Sequence, residues 1–281
     1  MAITAADVKK LRERTGAGPM ECKKALEEAN GDFAAAEKQL KEKGLAAVEK
    51  RSGRATNEGK IFIKIKGNNA VIVELASETD FVARNPEFIA LGGVIADRAL
   101  ENGYAAPNEE LAAVVTDLAT KIRENMSLKR LKLVAAGENE YLVSYIHGDG
   151  AIGIIVKLSA DKSVNQEDVE SFAYSIAMHI AAFNPLVLSK DKLDPVFIKE
   201  QEDIFRKQME ADASLKSKPA QALEGILKGK LNKFLKSICL MDQGYIKDEK
   251  ITVAQAFADI GKQLGATIAI TDYVYFKVGQ K

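Results

Sequence analysis

Charge of one sign is what this chain most plainly lacks: 40 Lys and Arg stand against 40 Asp and Glu in 281 residues. A protein that grips nucleic acid through its phosphates carries a basic excess, so direct nucleic-acid binding is not expected. Cysteine is nearly absent. Cys22 and Cys239 are far apart, no CxxC or Cys/His spacing occurs, and no zinc or other metal site is expected. Two unaccompanied thiols fit a reducing compartment. No apolar run reaches the roughly 18 residues of a membrane span, and the N-terminus lacks a basic segment followed by an apolar run. A cytoplasmic protein without membrane contact is the expectation. There is no phosphate-cradling glycine loop and no serine in a nucleophile-elbow context. Of the two histidines, His147 ends a strand beside a glycine turn and is expected to be partly exposed. His179 lies in the apolar helical run 176–181 and is expected to be a satisfied core residue. Neither an enzyme nor a cofactor is expected.

What is present is organisation. The length suits about two domains of ~100–200 residues. Residues 1–45 read as three short helices forming a small docking module. Thr4 caps the first, with Asp7 three residues on. Pro19 opens the second and Asn30-Gly31 ends it. Asp32 caps the third, which Gly44 closes. Such a unit has a very small core and is marginal alone. Met20, beside the Gly-Pro turn, is either core filler or a partner contact. Residues 46–59 read as a polar linker with a solvated Lys/Arg cluster.

Strand patterns then appear twice. Lys60–Lys66 alternates, Gly67-Asn68-Asn69 turns, and Ala70–Leu75 returns, followed by helices over about 86–102 and 108–125. Tyr141–His147, the turn Gly148-Asp149-Gly150 and the return strand to Leu158 repeat the pattern, with a helix over about 165–183. The fold class is therefore α+β, with two related core subdomains over 60–140 and 141–281, each an antiparallel sheet with helices on one face. Residues 194–238 read as an inserted antiparallel helical hairpin. Its apolar stripes are Phe197, Ile198, Ile204, Phe205 and Met209, then Leu223, Leu227, Leu231, Phe234 and Ile238; its tip is Lys216-Ser217-Lys218. Thr252 caps a last helix over 252–264, and a terminal strand could complete a sheet.

One loop sets the two copies apart. After the first return strand come Glu78-Thr79-Asp80-Phe81-Val82; after the second come Ala160-Asp161-Lys162-Ser163-Val164, without an aromatic. The first loop joins a strand to a helix, where functional side chains are commonly displayed. It pairs an aromatic with carboxylates and holds no His or Cys, which points to contact with a partner rather than to a reaction. The bland alternative has Phe81 tucked into its own core and Asp80 capping the helix.

In order along the chain, Val8–Gly18, Met20–Leu26, Glu74–Asn85, Met178–Ala182, Gly229–Phe234 and Cys239–Gln243 resemble the signatures of the bacterial elongation factor Ts family, over essentially the full length. Members are guanine-nucleotide exchange factors of the GTPase elongation factor Tu. The resemblance implies a ubiquitin-associated-like N-terminal domain, a coiled-coil hairpin and a C-terminal module. It implies a complex with that GTPase, a heterodimer or larger, and displacement of the GTPase's magnesium by the element Thr79-Asp80-Phe81-Val82. Arg12, Met20 and His147 are implied as further partner contacts. The alternative reading is an adaptor that tethers partners through the N-terminal helices without promoting exchange.

Overall fold

The computed structural model describes residues 3–215 and 218–280. Lys216 and Ser217 of the expected hairpin tip lie outside the described residues. The chain divides into two compact units. The first comprises residues 1–135, 146–153 and 276–281; the second comprises 136–145 and 154–275.

The first unit begins with α1 (Ala5–Thr15), α2 (Pro19–Glu28) and α3 (Phe33–Arg51). Local chemistry places their ends. Thr4 and Asp7 form a reciprocal capping box, Pro19 occupies the first turn of α2, and Asp32 accepts the Ala34 and Ala35 N–H groups. Leu11, Cys22, Ala25, Leu26, Ala36 and Leu40 make the small shared core. Gly44 does not end α3, which runs seven residues further, so Ala46–Arg51 is helix rather than linker. The reason is packing. A Cβ on Gly44 would lie 2.2 Å from Thr120, so the glycine is where α3 approaches a neighbouring helix most closely rather than where it stops.

That neighbour is α6 (Glu109–Ile122), reached through β1 (Glu58–Lys66), β2 (Asn69–Ser77), the single turn α4 (Asp80–Ala83) and α5 (Pro86–Asn102), and followed by β3 (Met126–Ala135). The sheet order is β1-β2-β3, both pairs antiparallel, with Val73 opposite Phe62 on one side and Leu131 on the other. β3 was not expected. Its sequence, Ser127 to Lys132, alternates weakly with Lys and Arg, as an edge strand does.

The central strand β2 is buried from Ala70 to Ser77. Val71, Val73 and Leu75 meet Phe88, Ile95, Leu111, Val115 and Leu118 of α5 and α6. On the opposite face, Glu74 is 2% exposed. Arg130 Nε donates to it at 2.6 Å and Gly279 N–H at 3.0 Å. The Arg130 guanidinium also lies 4.2 Å over the Phe276 ring. A buried carboxylate is tolerated because it is paired and hydrogen-bonded. Ile89 and Val94 of α5 are over 40% exposed.

Of the second unit, β4 (Glu140–His147) and β5 (Ile152–Ala160) are the expected hairpin strands, with α7 (Gln166–Phe183) after them. The tip of that hairpin, 146–153, belongs to the first unit. α8 (Pro195–Ala211) and α9 (Ala220–Ile238) pair as the expected helical hairpin. Phe197, Ile198, Leu231, Phe234 and Ile238 pack around Leu193, Leu235 and Cys239, while Ile204, assigned to the same stripe, is 46% exposed. The short pair β6 (Gly244–Tyr245) and β7 (Asp248–Thr252), α10 (Val253–Leu264) and β8 (Ile268–Lys277) complete the chain, and β8 joins a sheet of order β4-β5-β8.

His179 is fully buried on α7. Its Nε2 pairs with Gln243 Oε1 at 2.8 Å, and the Gln243 amide donates to the Ser237 carbonyl at 2.6 Å. Among the described residues Nδ1 has no hydrogen-bond partner. Burial pushes its pKa down.

Candidate functional site

The loop between β2 and α5 is built to hold one ring outward. Thr79 is the N-cap of α4: its hydroxyl oxygen accepts the Val82 N–H at 3.3 Å. The same hydroxyl donates to the Glu124 carboxylate, 2.9 and 3.1 Å from its two oxygens, and the Thr79 N–H donates there at 3.2 Å. Ser77 Oγ donates to the Thr79 carbonyl at 2.9 Å. On the inner side of the turn Val82 and Ala83 are 7% and 5% exposed and join the core under β2. Asn85 accepts the Glu87 N–H at 2.8 Å and, with Pro86, starts α5 at once. A one-turn helix with Val82 and Ala83 turned into the core must present its other side to solvent. Phe81 is on that side, 82% exposed.

The two carboxylates of the loop have separate partners. Glu78 accepts the Asn125 N–H at 2.6 Å and a salt bridge from Arg54 at 3.3 Å. Asp80 pairs with Arg84 at 3.3 Å, one turn along. Asp80 does not cap the helix; Thr79 does. Thr79 and Val82 hold the turn, and Asp80 and Phe81 are the members of the element that face outward.

The turn 148–150 lies in the same unit. Lys60, a buried lysine on β1, donates to the Asp149 carbonyl at 2.8 Å and contacts its carboxylate at 2.6 Å. The hydrogen bond from Lys60 holds the Asp149 carboxyl below the usual range, and the Arg84 charge adds to the effect. Gly150 accepts the Ile61 N–H at 2.8 Å. His147, next to this turn, is exposed. Of the other expected contacts, Met20 is 75% exposed and Arg12 is on the surface of α1. Met20 is therefore not core filler. Phe81, His147, Met20 and Arg12 all belong to the first unit.

Among the described residues no group of three or more His, Cys, Asp or Glu is placed to hold a metal ion. Among the described residues no helix is long and apolar enough to cross a membrane. Glu124 and Asn125 fall within the helix expected over 108–125, but α6 ends at Ile122 and leaves them in the connection to β3. They follow a helix end at Arg123, whose backbone is left-handed (φ +66°).

Comparison with known proteins decides the family. Residues 78–280 match the family model described as Elongation factor TS. The elongation factor Ts of Treponema denticola is 48% identical over 281 residues, covering 99% of each chain. That of Treponema pallidum is 44% identical over 292 residues, again 99% of each, and that of Borrelia hermsii 39% over 282 residues, 99% of this chain and all of the other. The chain belongs to the elongation factor Ts family. Its α+β fold, helices on small antiparallel sheets, is that of an elongation factor Ts, a translation elongation factor.

Proposed function

We propose that this elongation factor Ts family member binds the GDP-bound GTPase elongation factor Tu and promotes release of GDP, so that GTP can rebind. A GTPase holds its nucleotide through a phosphate-cradling loop and a Mg2+ that bridges phosphate and protein oxygens. Promoting release needs no bond chemistry in the factor. The factor must bind the emptied GTPase more tightly than the occupied one, and by reciprocity it then weakens nucleotide binding by the same ratio.

The observation that carries this reading is the outward ring of Phe81 on a turn pinned from within by Val82, Ala83 and Glu124. A rigidly held aromatic entering a desolvated pocket is the expected anchor of an interface. Here it acts as a wedge near the Mg2+ site of the GTPase. Asp80 stabilises the displaced state by hydrogen bonding or by disturbing the metal's surroundings. Arg12, Met20 and His147 add area to the interface, the first two from the N-terminal helices. Each ~1.4 kcal/mol of coupling is only tenfold, so such breadth is needed.

The test is release of a fluorescent GDP from the partner GTPase on adding the chain. Exchange predicts acceleration that saturates with chain concentration. An adaptor predicts complex formation with an unchanged release rate, and that result overturns the proposal.

A further inference from the structure

Three consecutive residues between α6 and β3 each tie down a different element of the first unit. Arg123 contacts the Glu21 carboxylate at the start of α2. That carboxylate also accepts the Gly18 N–H at 2.9 Å; the Gly18 bond and Arg123 together lower its pKa. Glu21 is the neighbour of Met20, an exposed methionine of the helical module. Glu124 takes both donors of Thr79, the cap of the turn that carries Phe81. Asn125, 7% exposed, gives its N–H to Glu78 at 2.6 Å, and its amide group donates to the Ser52 carbonyl at 3.1 Å and the Arg54 carbonyl at 2.7 Å. It thus ties the end of α3 to the loop before Phe81. The two most exposed large apolar side chains among the described residues, Phe81 and Met20, are therefore each held through one residue of a single short connection.

We infer that Arg123-Glu124-Asn125 is a positioning element. It sets the spacing and orientation of the Met20 and Phe81 display points, so that both engage one rigid partner at once. The inference rests on the exchange reading above. None of the three residues needs to touch the partner. Glu124 acts through Thr79: with its carboxylate gone, the Thr79 hydroxyl and N–H lose their acceptor, and the turn keeps the Ser77 bond, its own cap and backbone bonds and the buried Val82 and Ala83. A turn free to swing pays an ordering cost on binding that a pinned one has already met. The cost falls on the step in which the ring is seated, not on the first encounter.

The test is the same fluorescent-GDP release, run over a series of chain concentrations to separate the maximal rate from the half-saturating concentration. Glu124→Ala is expected to lower the maximal rate about tenfold, within the range of allosteric couplings, and to change the half-saturating concentration less than about threefold. Glu124→Gln, whose amide oxygen still accepts from Thr79, is expected to recover most of the rate. Thr79→Val, which removes the α4 cap as well as the donor to Glu124, is expected to slow release at least as much, and the double variant to lose less than the sum of the two single effects, because residues that share a contact are not additive. Circular dichroism melting of each variant separates loss of fold from loss of position. A folded Glu124→Ala chain with a wild-type maximal rate overturns the inference, and so does Glu124→Gln failing as badly as Glu124→Ala. Phe81→Ala in the same series keeps the two proposals apart. If it leaves release unchanged, the wedge itself is wrong; if it slows release while Glu124→Ala does not, only the positioning element is wrong.

Discussion

Replacing Phe81 with alanine should separate function from stability cleanly. The side chain is 82% exposed, and an exposed substitution away from any cap or core contact changes folding stability by no more than about 0.5 kcal/mol. The helical cap is untouched, since Thr79 supplies it. If the ring is seated in an apolar pocket of the GTPase, its loss costs the free energy of burying a phenyl side chain, about 2–3 kcal/mol. At ~1.4 kcal/mol per decade this is a fall of about 30- to 150-fold in the apparent second-order rate constant for GDP release. Stopped-flow release of fluorescent GDP at sub-saturating chain gives that constant directly, and thermal unfolding of the same preparation gives the control. A release constant within about threefold of wild type, with the fold intact, refutes the wedge, because threefold is below 1 kcal/mol and cannot describe a buried phenyl.

Arg130→Met should leave Glu74 buried beside an uncharged neighbour, with only the Gly279 N–H as a hydrogen-bond partner. A loss of about 3 kcal/mol in urea-unfolding free energy is expected, since breaking one side of a buried pair strands the other charge. Met20→Ala should raise the half-saturating concentration for GDP release about fivefold, or ~1 kcal/mol of lost contact, with no change in melting temperature. For His179 the sign follows from burial. Its folded-state pKa lies below the ordinary 6.5, so the unfolded chain takes up the proton first as the pH falls. Stability is then lost from about pH 7 downward until the folded-state pKa is passed, at up to ~1.4 kcal/mol per pH unit. Urea midpoints at pH 7.5 and 5.5 should differ more for the wild type than for His179→Gln.

Elements with strong local punctuation were legible in the sequence. Thr4 with Asp7, Pro19, Asp32, Asn108 and Thr252 are caps or first-turn residues whose side chains act on their own backbone, and the structure puts helix starts at each. The hairpin turns at Gly67 and at Gly148-Asp149-Gly150 have the left-handed φ values that their glycines and aspartate permit. What was not legible depends on distant partners. Gly44 looked like a stop because its use, a close approach to Thr120, is 76 positions away in the chain. β3 was missed because its Lys and Arg residues hide the alternation, although Arg130 is held by Glu74 and Phe276. The burial of His179 was legible from its apolar helical run, but its partner Gln243, 64 residues on, was not. The Thr79–Val82 loop stands out by its residue types. The clamp beneath it was not, since Glu124 and Thr79 are 45 residues apart.

The central claim is that this chain favours the emptied GTPase over the occupied one, and equilibrium linkage measures it without reference to any single residue. The affinity of elongation factor Tu for GDP should be titrated with and without saturating chain, and the affinity of the chain for that GTPase with and without saturating GDP. The account predicts that GDP affinity falls at least about tenfold and that the chain's affinity falls by the same ratio when GDP is present. A GDP affinity unchanged by bound chain would contradict it.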